Sequence, residues 1–105
     1  MKKAIIFVSI TEEYNNLKPK ALFVALKKLR KAVSVAKYEL LAEFAVIGND
    51  STVEAVDDFL NICNENKDDN IFLYCDAVSL NNFITPALQQ KYPNQILFKT
   101  SVIIF

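Results

Sequence analysis

Two short runs decide most of what this chain can fold into. Ile71–Cys75 reads IFLYC and Ala4–Val8 reads AIIFV. Neither alternates apolar with polar residues. A strand that is apolar on both faces is covered from both sides, which usually means a parallel sheet between helices. In such sheets ligands and chemistry collect beyond the carboxyl ends of the strands. Asp76 directly follows the second run and falls at that edge.

The rest of the chain fits between these runs. Lys3–Ile10 is the first strand and Thr11–Asn16 a polar loop. Asn16 is placed to cap the next helix, with Pro19 in its first turn. From Leu17 to about Lys31, Leu22, Leu26 and Leu29, with Ala25 between, follow helical spacing. Lys20, Lys27, Lys28 and Lys31 fall largely off that stripe, so the helix has a basic outer face. A turn is expected near Ala36–Lys37. Glu39–Ile47 reads as helix or strand by periodicity, and the alternation with flanking helices assigns it as a strand. Gly48-Asn49-Asp50 stops it. Asp50 or Ser51 then caps a second helix, with Glu54 near the capping-box position and Val53, Val56, Phe59, Leu60 and Cys63 as its buried stripe.

After the strand Ile71–Cys75, Ser79–Gln90 is helical, with Phe83, Ile84, Ala87 and Leu88 inward. Pro86 lies inside it and should kink it or delay its start. Tyr92-Pro93-Asn94 ends it. Gln95–Lys99 is a fourth strand, and Ser101–Phe105 (SVIIF) is a fifth, as an antiparallel edge or a continuation, whose apolar edge invites a partner. The expected fold is one α/β domain over residues 1–105. It is a three-layer α/β/α sandwich on a mostly parallel sheet of four to five strands.

What the chain lacks excludes much chemistry. It has no histidine, so no histidine base, no Ser-His-Asp triad and no histidine metal site. Its one glycine, Gly48, rules out a P-loop and a dinucleotide-binding glycine turn. Cys63 and Cys75 show no metal-site or disulfide spacing and read as buried free thiols. No signal peptide and no membrane-length apolar run is visible, so a reducing cytoplasm is the expected compartment. No cofactor and no metal site are expected.

Charge is balanced overall but not along the chain. Residues 1–37 hold nine Lys/Arg against two Glu, and residues 38–105 hold three Lys against ten Asp/Glu. A Lys-rich solvated helix face accounts for the first half. The alternative is a basic patch for DNA phosphates, carried by Lys20, Lys27, Lys28, Arg30 and Lys31. Glu12, Glu13 and Asp76 suggest an acidic pocket at the strand ends, completed by Lys99, as in a flavodoxin-like module holding Mg²⁺. Against it stands Asp76 as a cap for the turn toward Ser79. Tyr14, Tyr38, Tyr74 and Tyr92 are scattered and offer single strands no evident stacking platform.

Four segments in order resemble one family. Ala4–Glu13 reads AIIFVSITEE, Tyr38–Gly48 reads YELLAEFAVIG, Phe59–Cys63 reads FLNIC and Ile71–Asn81 reads IFLYCDAVSLN. The catalytic domains of serine recombinases, the resolvases and invertases, carry patterns of the type AIIYVRVSTEEQ, GYEVVEEFVDEG, LLDLV and VLVYKLDRLSRN at similar spacing. The chain is thus similar to that domain along essentially its whole length, and the resemblance implies a resolvase-like fold. It also implies a domain lacking the family's long dimerisation helix and helix-turn-helix unit, which follow the last strand in the family.

In that family a serine hydroxyl attacks a DNA phosphodiester to form a phosphoserine link, and arginines hold the phosphate. Keeping Ala4-Ile5-Ile6 in register puts Thr11 at the nucleophile and Ser9 at the arginine two residues before it. Keeping Thr11-Glu12-Glu13 in register puts Ile10 at the nucleophile instead. In the DRLSR segment Asp76 and Ser79 match, while Ala77 and Leu80 replace the two arginines. A further family arginine falls near Val53–Glu54, where nothing is basic. Arg30 is the chain's single arginine. Each guanidinium removed from such a site costs on the order of 10²–10³-fold in rate, and lysine is a poor substitute.

The resemblance therefore implies a catalytically inactive domain that works through protein contacts or weak DNA contacts, with Thr11, Ser9, Asp76 and Ser79 as vestiges of the site. An active enzyme using Thr11 or Ser9, with arginines lent by an intact recombinase, is the alternative. Candidate partners are DNA, a second copy of the chain, or an intact recombinase.

Overall fold

The computed structural model describes residues 2–10, 18–66, 69–91 and 96–100. The elements run β1 (Lys2–Ile10), α1 (Lys18–Ala36), β2 (Glu39–Ile47), α2 (Asn49–Glu65), β3 (Asn70–Cys75), α3 (Ala77–Ser79), a π-helical turn (Leu80–Ile84), α4 (Thr85–Lys91) and β4 (Ile96–Thr100). Four parallel strands form one sheet in the order β2-β1-β3-β4. The polar loop at Thr11–Asn16 with its Asn16 cap, the stop at Tyr92-Pro93-Asn94 and the strand expected at Ser101–Phe105 lie outside the described residues.

Both faces of the central strands are covered, as their composition requires. Ile5 and Phe7 of β1 join Ile71, Leu73 and Cys75 of β3 beneath Ala55, Val56, Phe59, Leu60 and Cys63 of α2 and Ile84 and Leu88. Ala4, Ile6, Val8 and Ile10 point the other way, under Leu22, Ala25, Leu26, Leu29 and Val33 of α1. So α1 lies on one face of the sheet and α2 with α4 on the other. Burying each large aliphatic or aromatic side chain here is worth roughly 1.5–3 kcal/mol.

The basic helix runs one turn beyond Lys31 and ends where a turn is expected. Lys37 takes a left-handed conformation, φ 61°. Its N–H donates to Ser34 O at 3.1 Å and the Tyr38 N–H donates to Val33 O at 3.3 Å. These two bonds are a Schellman closure, normally built on glycine. Val33 and Tyr38 both pack into the α1-side core, which supplies the closure's apolar contact.

Three local expectations are corrected. The second helix starts at Asn49, and Gly48 is its N-cap with no side-chain cap bond, so neither Asp50 nor Ser51 caps it. Gly48 has φ 102° and ψ 152°, a region open to glycine alone. Its conformation aims its carbonyl at Thr52, whose N–H and hydroxyl donate to it at 3.1 and 2.7 Å. Thr52 is thus fully buried while Val53 is 53% exposed, the reverse of the expected stripe. Third, Tyr38 and Tyr74 are not apart: Tyr38 stacks on Phe72 with centroids 4.5 Å apart and meets Tyr74 edge-on at 6.4 Å. Ala4, between β2 and β3 in register, is small enough to let Tyr38 lie across it.

The helical stretch starts at Ala77, before the expected Ser79, so Pro86 interrupts its regularity and does not delay its start. Proline cannot donate a backbone bond, and the chain absorbs the shifted ladder in the π-turn just before it, where Thr85 N–H reaches back to Leu80 O. Phe83, Ile84, Ala87 and Leu88 face inward.

Candidate functional site

The sheet order reverses direction between β1 and β3. In parallel α/β sheets this switch point opens the crevice where ligands bind. Three residues singled out from the sequence meet there. Ser9 stands near the end of β1, Asp76 follows β3, and Ser79 lies one turn on in α3.

They form a closed hydrogen-bonded cluster. Asp76 caps α3, with Oδ2 accepting from the Ser79 N–H at 3.0 Å. Its Oδ1 accepts from the Ser79 hydroxyl at 2.6 Å and from the Ser9 N–H at 3.2 Å. The two hydroxyl oxygens are 2.5 Å apart. The Ser79 proton goes to Asp76, so the Ser9 hydroxyl donates to Ser79 Oγ. A relay of two hydroxyls therefore runs into one carboxylate. The capping role expected of Asp76 is present. The bond from the Ser9 N–H across the sheet is the part that sequence reasoning missed, because it depends on β1 and β3 being neighbours.

The cluster is shut off from solvent: Ser9 and Asp76 are each 2% exposed and Ser79 is fully buried. Among the described residues no cation pairs with Asp76, whose partners are neutral donors. The adjacent Cys75 thiol is pushed up to about 12, by burial first and by the Asp76 carboxylate second. Burial alone pushes Cys63 up to about 12 as well. Both are free and buried, and neither is a thiolate near neutral pH.

The other candidates divide. Thr11, Glu12 and Glu13 lie outside the described residues. Lys99 stands on β4, in register with Tyr74. Among the described residues no group of three metal-binding side chains comes together. Lys20, Lys27, Lys28 and Lys31 are exposed along α1. Arg30 does not join them as a free cation. It forms a bidentate pair with Glu43 of β2, at 2.5 and 2.7 Å, and its hydrogen bonding holds the Glu43 carboxyl below its usual range. The chain's single guanidinium is thus engaged in fastening α1 to an edge strand.

Each proton is committed within the cluster, both hydroxyls are buried, and among the described residues no cation stands beside them to hold a phosphate. No helix among the described residues is long and apolar enough to cross a membrane. No family model, curated protein or solved structure matches the chain.

Proposed function

We propose that this chain is a binding domain built on the frame of a serine-recombinase catalytic domain, without phosphoryl transfer. One observation carries the reading. The residues that the resemblance aligns with that family's site, Ser9, Asp76 and Ser79, satisfy one another in a buried cluster with no cation among the described residues. Ala77 and Leu80 occupy the two arginine positions, and Arg30 is held by Glu43. The parallel sheet with β1 and β3 at its centre supports an α/β domain, and the recombinase frame rests on the sequence resemblance. The domain's work is then contact with another macromolecule through its outer faces.

The test is incubation with supercoiled plasmid, followed by denaturing gel electrophoresis. Nicked product, linear product and protein–DNA adduct are all expected to be absent. An adduct that disappears in Thr11→Ala or Ser9→Ala overturns the reading.

A further inference from the structure

The two helix faces that look outward from opposite sides of the sheet carry opposite charge. On α1, Lys20, Lys27, Lys28 and Lys31 are exposed, and the helix contains no acidic residue. On α2, Asp50, Glu54, Asp57 and Asp58 are exposed, and the helix contains no basic residue. Among the described residues, none of these eight side chains forms an ion pair. Each face therefore holds a row of charge that no described residue neutralises.

Each face also carries an apolar feature. On α1, Phe23 is 53% exposed, with Lys27 Nζ 4.8 Å from its ring centroid. On the opposite side of the sheet, α2 and the segment around the π-turn leave a groove of about 300 Å³. Val53, Val56, Phe83, Pro86 and Ala87 form its apolar wall, and Asp57 stands at its rim. The groove has room for a phenyl ring. A ring entering it brings the neighbouring ammonium to Asp57.

We propose that the chain associates head-to-tail with further copies of itself, the α1 face of one molecule docking on the α2 face of the next. Phe23 enters the groove, Lys27 pairs with Asp57, and the remaining lysines face Glu54 and Asp58. The two surfaces differ and lie on opposite sides of the sheet. The contact is therefore heterologous and leaves one face of each kind free at the ends, so it builds open stacks rather than closed dimers. This inference stands apart from the inactivity of the Ser9–Asp76–Ser79 cluster, since none of those residues takes part.

Sedimentation velocity of the whole chain tests it. In about 0.1 M salt, with a Debye length of about 10 Å, the average mass should rise with protein concentration; in about 1 M salt, with about 3 Å, it should fall toward that of one chain. The exposed variants K27Q/K28Q and D57N/D58N should each sediment as single chains in the lower salt. Circular dichroism melting should show both to be as stable as the parent. Mixed together, they should form a one-to-one pair and nothing larger, because each supplies the face the other lacks. Phe23→Ala should weaken the parent's association at both salt concentrations. A parent that stays monomeric throughout overturns the proposal. So does association that both charge variants retain, or a mixture that grows beyond pairs. A monomer that instead retards duplex DNA through Lys27 and Lys28 assigns the α1 face to phosphates and overturns it too.

Discussion

The two edges of the sheet are each tied by a polar cluster, and the two clusters obey different physics. At the carboxyl edge, buried Asp76 accepts three hydrogen bonds from Ser9 and Ser79 and meets no cation. At the amino edge, Lys3 Nζ lies 2.9 Å from Asp69, 3.9 Å from Glu39 and 3.2 Å from Asn66 Oδ1. Both clusters hold β1 to its neighbours. The first is dry and each member depends on the others. The second is wet, with Glu39 about half exposed, so water replaces any member that is lost. The backbone follows the same division. The sharp turn at the carboxyl edge is made by glycine, and the one at the amino edge by lysine.

The comparison breaks most visibly at Asp76. Asp76→Ala leaves the Ser9 N–H and the Ser79 N–H buried without an acceptor, and the Ser79 hydroxyl must turn to Ser9 Oγ. Unsatisfied buried donors cost about 1–3 kcal/mol each and do not add fully, so a loss of about 3–5 kcal/mol is expected in urea unfolding. Asp76→Asn keeps one carbonyl acceptor and should recover part of it. A loss under 1 kcal/mol for the alanine variant would dissolve the contrast between the edges.

The paired backbone test comes next and has opposite signs. Gly48→Ala places a Cβ in open space, with nothing within 4 Å, so the expected loss of about 1–3 kcal/mol is conformational strain alone. Lys37→Gly relieves left-handed strain at the cost of a floppier unfolded chain, and the same measurement should show a gain of about 0.5–1 kcal/mol. Equal signs for the two would show that φ is not what separates them.

Lys3 gives the smallest effect. Lys3→Gln should move the urea midpoint less than either backbone change, and the difference should vanish in high salt. Hydrogen bonding to Asp69, with the charges of Asp69 and Glu39 adding, raises the Lys3 pKa from 10.5. A raised folded-state pKa means the contribution is fully present below the unfolded value and lost as pH rises through the folded one. Parent and Lys3→Gln should therefore differ near neutrality and converge in strong alkali, as followed by circular dichroism.

Much of the fold was legible because burial on two faces leaves few choices. AIIFV and IFLYC could only be central strands, and the span Glu39–Ile47 followed from the alternation. The end of α1 was visible as a position but not as a mechanism, since Schellman closures are recognised by a glycine that Lys37 replaces. The choice of Thr52 over Val53 was hidden. Both lie one turn before Val56, and the Gly48 carbonyl decides between them by bonding the threonine hydroxyl. At the site, Asp76 capping Ser79 is a local spacing and could be read directly. Ser9 meeting Ser79 joins residues 70 apart and required the sheet order. Arg30 illustrates the same limit, because its partner Glu43 lies on a strand whose faces no pattern fixes.

That strand has one more consequence. The pairing of β2 with β1 steps from Ala4–Leu40 to Ile5–Ala42, so Leu41 is an extra residue on the edge strand. An interrupted edge is a poor template, since a foreign strand zipping along β2 falls out of step after the first residues. Glu39, half exposed on the same strand, adds charge that a second copy would have to set against its own. On its β2 side the molecule can thus carry a strongly apolar sheet and still resist growing it by strand addition.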